Sequence, residues 1–135
     1  MKRKKLLRLA GMGMIALLIF NQPACTGVDT IPRIDFYIDL NDPTYYNLQI
    51  TGNFIYQNGL IIFKGLDQNY YALSQYCTYD GCNVEYQVGF DELDCPCEGS
   101  KFDKQGFNLM GPASIPLYEY TTSLGGNGLL HIFTP

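Results

Sequence analysis

Four of the five cysteines lie between Cys77 and Cys97, in two short segments, CTYDGC and CPC, separated by twelve residues. Thiols at that density can pair as disulfides or, as thiolates, hold a metal. Gly81, Pro96, Gly99, Gly106, Gly111 and Pro112 stand around them, and these are the residue types that turn a chain back on itself. The stretch from Cys77 to Pro116 therefore reads as loops converging on one point. That point is a disulfide, a metal, or both.

Three segments of the stretch carry a family resemblance. Cys77-Thr78-Tyr79-Asp80-Gly81-Cys82 is similar to C-T-H-x-G-C. Cys95-Pro96-Cys97-Glu98-Gly99-Ser100-Lys101-Phe102-Asp103 is similar to C-P-C-H-G-S-x-F-D, and Gly111-Pro112-Ala113-Ser114-Ile115-Pro116-Leu117 to G-P-A-x-x-P-L. In this order, within a region from about Leu48 to Phe133, they resemble the Rieske iron-sulfur domain. The resemblance implies an all-β fold: an antiparallel β-sandwich with a small inserted subdomain of cluster-binding type, here about residues 77–111. It also implies a disulfide between Cys82 and Cys97, and closing a loop of that size stabilises by ~3 kcal/mol in the chain-entropy model. A Rieske centre holds one iron with two cysteines, matched here by Cys77 and Cys95, and the other with two histidines. The histidine positions are occupied by Tyr79 and Glu98, and the one histidine of the chain, His131, is remote in sequence.

Three arrangements of the site follow. Two thiolates on one iron, with metal–sulfur bonds of about 2.3 Å at tetrahedral angles, lie roughly 3.7 Å apart. Without iron they need move little to meet, so a second disulfide, Cys77 to Cys95, with no metal and no cofactor, is the leading expectation. The alternative keeps a 2Fe-2S cluster with Tyr79 and Glu98 as oxygen ligands. A phenol must then lose a proton held with a pKa of about 10, and two anionic oxygens make the centre hard to reduce. A third arrangement is a zinc or iron-sulfur site of Cys77, Cys82, Cys95 and Cys97, against which stand the tight C-x-C pair and an oxidising compartment. Asp80, Ser100, Phe102 and Asp103 come with the motif. In the family the serine hydrogen-bonds a cluster sulfur, the Phe-Asp step packs the loop, and Gly111-Pro112-Ala113 covers the site; without a cluster these keep structural roles. No spacing marks His131 as catalytic.

The elements that must position these loops read as strands. From Ile34 onward, short runs rich in Tyr, Ile, Phe and Val are broken by Gly, Asn and Pro, and none keeps a helical apolar period for three turns. Expected strands are 34–38, 46–51, 53–56, 60–64, 70–74, 84–87, 92–95, 115–122 and 129–133. Asn58-Gly59 and Gly125-Gly126-Asn127-Gly128 are hairpin signals. Asp42-Pro43-Thr44-Tyr45 predicts one short helical turn, with Asp as cap and Pro at the first position.

Ahead of the domain, residues 1–24 have a basic head (Lys2, Arg3, Lys4, Lys5, Arg8) and an apolar run from Leu9 to Phe20, the form of a secretory signal peptide. Pro23-Ala24-Cys25 resembles a bacterial lipoprotein processing site, with lipid carried on Cys25, although Gln22 stands where an aliphatic residue is usual. Residues 25–33 read as a tether to a domain over 34–135. Beyond residue 24 only Arg33, Lys64, Lys101 and Lys104 oppose thirteen acidic residues, a formal charge of −9. Such a surface excludes nucleic acid and anionic lipid head groups as partners, so membrane attachment is expected through the lipid. The sequence thus predicts a lipid-anchored protein of the bacterial cell envelope, stabilised by disulfides. Its expected role is binding or scaffolding with an unidentified envelope protein, and electron transfer through a cluster is the alternative.

Overall fold

The run Leu60-Ile61-Ile62-Phe63 is apolar at every position rather than every second one, and a strand of that kind must be covered on both faces. The computed structural model, which describes residues 31–135, shows this. The strand formed by that run is fully buried, with Ile61 and Phe63 in one core cluster and Leu60 and Ile62 in another. The expected signal peptide over 1–24, the lipid site at Cys25 and most of the tether lie outside the described residues.

Among the described residues ten strands follow in chain order: β1 (Asp35–Asp39), β2 (Phe54–Gln57), β3 (Leu60–Lys64), β4 (Tyr70–Ser74), β5 (Glu85–Gln87), β6 (Glu92–Asp94), β7 (Lys101–Asp103), β8 (Asn108–Met110), β9 (Glu119–Leu124) and β10 (Leu129–Phe133). All pairings are antiparallel. A six-stranded sheet has the order β1-β10-β9-β4-β3-β2, and a four-stranded sheet the order β5-β6-β7-β8. Because β4 pairs directly with β9, the four-stranded sheet and its loops form an insertion between two neighbouring strands of the larger sheet. The cluster between them contains Ile61, Phe63, Leu73, Val84, Leu93 and Phe102, so the inserted sheet sits on a continuous apolar floor. Each such side chain, fully buried, contributes on the order of 1.5–3 kcal/mol. The fold class is therefore the expected one.

Two expected elements are corrected. The strand expected at Tyr46–Thr51 is instead a 3-10 helix, Pro43–Gln49. The Asp42 side chain accepts a hydrogen bond from the Thr44 backbone N–H at 2.8 Å, Pro43 pre-sets the first turn, and Leu48 anchors the segment in the core. The strand expected from Ile115 begins only at Glu119, since the Asn108 side-chain amide donates to the Ala113 and Ile115 carbonyls and holds that chain in a loop. Strands β7 and β8, three residues each, carried too short an alternation to be read from sequence.

Candidate functional site

Both cysteine segments fold into the same turn. In the first, the Gly81 N–H donates to the Cys77 carbonyl at 2.9 Å and the Cys77 N–H to the Cys82 carbonyl at 2.7 Å. In the second, Gly99 donates to Cys95 at 2.9 Å and Cys95 to Ser100 at 2.7 Å. The turn needs a residue in the left-handed region at its fifth position, where φ is +78° at Gly81 and +81° at Gly99, and glycine adopts it without Cβ strain. The third loop is pressed onto the second: a Cβ at Gly111 would stand 2.5 Å from the Ser100 Cα, and the Ala113 N–H donates to the buried Ser100 hydroxyl at 3.0 Å.

Cys82 and Cys97 form a disulfide across the two loops, with Cα atoms 6.4 Å apart. The four-cysteine metal site is thereby ruled out in this state, since two of its sulfurs are consumed. The expected Cys77–Cys95 bridge is also corrected, because both are free and buried thiols. The reason is the Glu98 carboxylate, which accepts from Cys77 Sγ through Oε1 and from Cys95 Sγ through Oε2, each at 3.0 Å. Each thiol thus has a partner other than its neighbour.

Electrostatics follow from that arrangement. Burial, reinforced by the hydrogen bond to Glu98, pushes the Cys95 thiol up to about 12, and burial raises Cys77 in the same direction. Partial desolvation acts to raise Glu98, but the hydrogen bonds it accepts from the two thiols help to outweigh it, and its carboxyl is held down to about 2. The site is a carboxylate flanked by two neutral thiols, the opposite of the activated thiolate that a redox-active cysteine requires.

The other residues singled out by the sequence are placed as follows. Tyr79 is 61% exposed. His131 lies on β10, stacked on Tyr37 with its Nε2 2.8 Å from Asp35, in the six-stranded sheet and not at the loops. Phe102 is fully buried in the core, and Asp103 accepts from the Gln105 and Phe107 backbone N–H groups, so both are structural. Asp80, read from the sequence only as a structural part of the motif, was not assigned as a donor. Its Oδ1 lies 3.6 Å from Cys95 Sγ and accepts from the Cys82 N–H at 3.0 Å. The signal was present: Asp80 follows Cys77 by three residues, as Glu98 follows Cys95.

A Rieske-type [2Fe-2S] centre needs two thiolates and two imidazoles. The thiol half is here, in Cys77 and Cys95; the imidazole half is not supplied by this chain. The donors present, two sulfurs and the Glu98 and Asp80 carboxylates, therefore do not fit that ligand set.

Comparison with known proteins agrees with the fold. The family model of the Rieske [2Fe-2S] domain matches residues 39–121. The cytochrome b6-f complex iron-sulfur subunit of Chlorobaculum tepidum is 36% identical over 53 residues, 39% of this chain and 29% of that protein. The subunit of the same name from Nostoc punctiforme is 38% identical over 65 residues, 48% of this chain and 35% of that protein. The chain thus matches about a third of the length of these relatives. Among solved structures, the ferredoxin of carbazole 1,9a-dioxygenase from Nocardioides aromaticivorans IC177 has a TM-score of 0.57 at 16% identity, over 78% of this chain and 100% of that one, a likeness of fold. With the family model covering more than half of its residues and the three loops in their places, this chain belongs to the Rieske [2Fe-2S] domain family.

Proposed function

We propose that this is a Rieske-fold domain that works without a Rieske cluster, as a binding or scaffold domain of the bacterial cell envelope, held at the membrane by a lipid on Cys25. The observation that carries the reading is Glu98. Its carboxylate lies between the two thiols that match the iron ligands, while Tyr79, at the other replaced position, faces solvent. Support for a binding role comes from apolar side chains exposed around the third loop: Leu109, Met110 and Ile115 are each more than half exposed, as is Tyr79. The net acidity beyond residue 24 and the basic, then apolar, start of the chain support attachment through lipid rather than through surface charge.

A second reading is electron transfer through a [2Fe-2S] cluster with Tyr79 and Glu98 as oxygen ligands. It is favoured by one feature: Cys77 and Cys95 remain free and face the same carboxylate. Iron and acid-labile sulfide analysis of the full chain, isolated from the envelope of a bacterial host, separates the two. The proposed reading expects neither iron nor sulfide in stoichiometric amount. Two of each per chain, with the resonance of a reduced iron-sulfur centre, would sink it. Intact mass, and the loss of membrane partitioning in Cys25→Ser, test the lipid.

A further inference from the structure

The two loops are one motif built twice. C-T-Y-D-G and C-P-C-E-G each place a carboxylate three residues after a cysteine and a left-handed glycine four residues after it. The disulfide and the equivalent backbone hydrogen bonds turn the two copies toward each other. Each loop therefore delivers one sulfur and one oxygen to a common point. The sulfurs of Cys77 and Cys95 and an oxygen each of Asp80 and Glu98 all lie within 4.8 Å of one another.

We propose that these four side chains bind a single divalent cation of the zinc type, with Cys77 and Cys95 as thiolate ligands and Asp80 and Glu98 as carboxylate ligands. The proposal rests on the cluster-free reading above and gives its site a ligand. Four ligands from two short loops suit tetrahedral zinc. Bonds of about 2.3 Å to sulfur and about 2.0–2.2 Å to oxygen place neighbouring sulfur and oxygen atoms roughly 3.6 Å apart. The Cys95–Asp80 separation is 3.6 Å, and Glu98 lies 3.0 Å from Cys77 Sγ through Oε1 and 3.0 Å from Cys95 Sγ through Oε2, so ligation requires the Glu98 contacts to lengthen outward. Calcium and magnesium need six or more oxygens and find no such set here. Mixed sulfur and carboxylate donors suit a borderline-soft ion.

The surroundings are those of ligands rather than of stray polar groups. Asp80 is oriented by the Cys82 N–H, an outer contact of the kind that fixes a metal-binding carboxylate. On binding, two S–H bonds break and two metal–sulfur bonds form; the two protons leave to solvent and nothing is oxidised or reduced. Two thiolates and two carboxylates around a divalent ion leave the net charge of a four-cysteine zinc site. All four positions are filled by protein, so the ion acts as a clamp on the loops.

The test is a Co²⁺ titration of the full chain, reduced at Cys77 and Cys95 and stripped with chelator, followed by displacement with Zn²⁺. The proposal expects one Co²⁺ per chain, a thiolate-to-cobalt charge-transfer band in the near ultraviolet, visible bands of tetrahedral intensity, and their loss on adding Zn²⁺. Cys77→Ser and Cys95→Ser should abolish the charge-transfer band. The isosteric Asp80→Asn and Glu98→Gln variants should each weaken binding at least about 10- to 100-fold, the typical loss on removing even an outer contact. Far-ultraviolet circular dichroism and an intact Cys82–Cys97 bridge in each variant show that folding is unchanged. Failure to bind with both thiols titrated as free, or binding indifferent to Asp80→Asn and Glu98→Gln, overturns this inference and leaves the cluster-free reading standing. Iron with acid-labile sulfide in the protein as isolated overturns both.

Discussion

Glu98 sets the chemistry of the site at the scale of single residues. A histidine there would offer one neutral nitrogen, whereas the carboxylate offers two oxygens, and each accepts from a buried thiol. Acceptance by a carboxylate favours the neutral thiol, so the metal-free protein should resist alkylation. With Cys95 near 12 against an ordinary value of 9.0, its thiolate fraction near neutral pH is lower by about three orders of magnitude. Iodoacetamide labelling of the metal-free chain, read by mass spectrometry, should modify Cys95 no faster than that ratio allows, and faster in Glu98→Gln. Rapid labelling at pH 7 would contradict the buried, carboxylate-bound thiol. The same two groups bracket stability. Cys95 is raised, so its contribution is complete below about pH 9 and is lost as pH rises toward 12; Glu98 is lowered, so its contribution is complete above pH 4.5 and is lost as pH falls toward 2. Denaturant midpoints measured across pH should show a plateau between those limits.

At the scale of elements, the loops are held by covalent closure and by glycine. The Cys82–Cys97 bridge closes a segment of 15 residues, and a loop of that size stabilises by about 3 kcal/mol. Cys82→Ser, or Cys97→Ser, should lower the midpoint of thermal unfolding by roughly 10–20 °C for a domain of this size. A shift of only a degree or two would mean the loops are fixed by their hydrogen bonds alone. The glycines separate two physical causes. Gly81 has open space around it but a φ of +78°, so Gly81→Ala should cost about 1 kcal/mol from backbone strain alone. Gly111 combines φ of +94° with backbone of Ser100 2.5 Å from any Cβ, so Gly111→Ala should cost more than Gly81→Ala and should loosen the third loop. Calorimetry of the pair gives the order directly.

At the scale of the molecule, a polar network joins the two sheets. Lys104, after β7, reaches Asp91 at 2.7 Å and Asp67 at 3.3 Å; Tyr86 on β5 donates to Asp91 and Tyr71 on β4 to Asp67, each at 2.6 Å. The loop after β3 is thereby tied to the turn between β5 and β6. The hydrogen bond from Tyr71, opposed by some desolvation, brings Asp67 down to about 2. Its contribution is therefore present above the ordinary value near 3.8 and is lost as pH falls toward 2. Asp91→Ala would leave the Tyr86 hydroxyl and Lys104 with fewer partners, and a loss on the order of 1–3 kcal/mol is expected in chemical denaturation. Little change would show that the apolar floor of Phe63, Leu93 and Phe102 holds the insertion without help.

Much of this was legible in the chain itself. Cysteine, glycine and proline at fixed offsets demand particular local conformations whatever surrounds them, so the three loops, the family and the Cys82–Cys97 pairing implied by that family could be read from residues 77–117. The apolar run Leu60–Phe63 and the Asn58-Gly59 turn likewise fix β3 and its hairpin through local preference. Other features depend on what arrives from elsewhere. Tyr46–Thr51 has the composition of a strand, but its cap and the burial of Leu48 won over that propensity. A carboxylate lies between the sulfurs of Cys77 and Cys95, and Asp80 comes within reach of Cys95 only because the insertion folds its loop against the second. Sequence determined which turns the chain makes, because a turn is decided within a few residues; tertiary structure decided which atoms meet there, because those distances are set by the packing of two sheets.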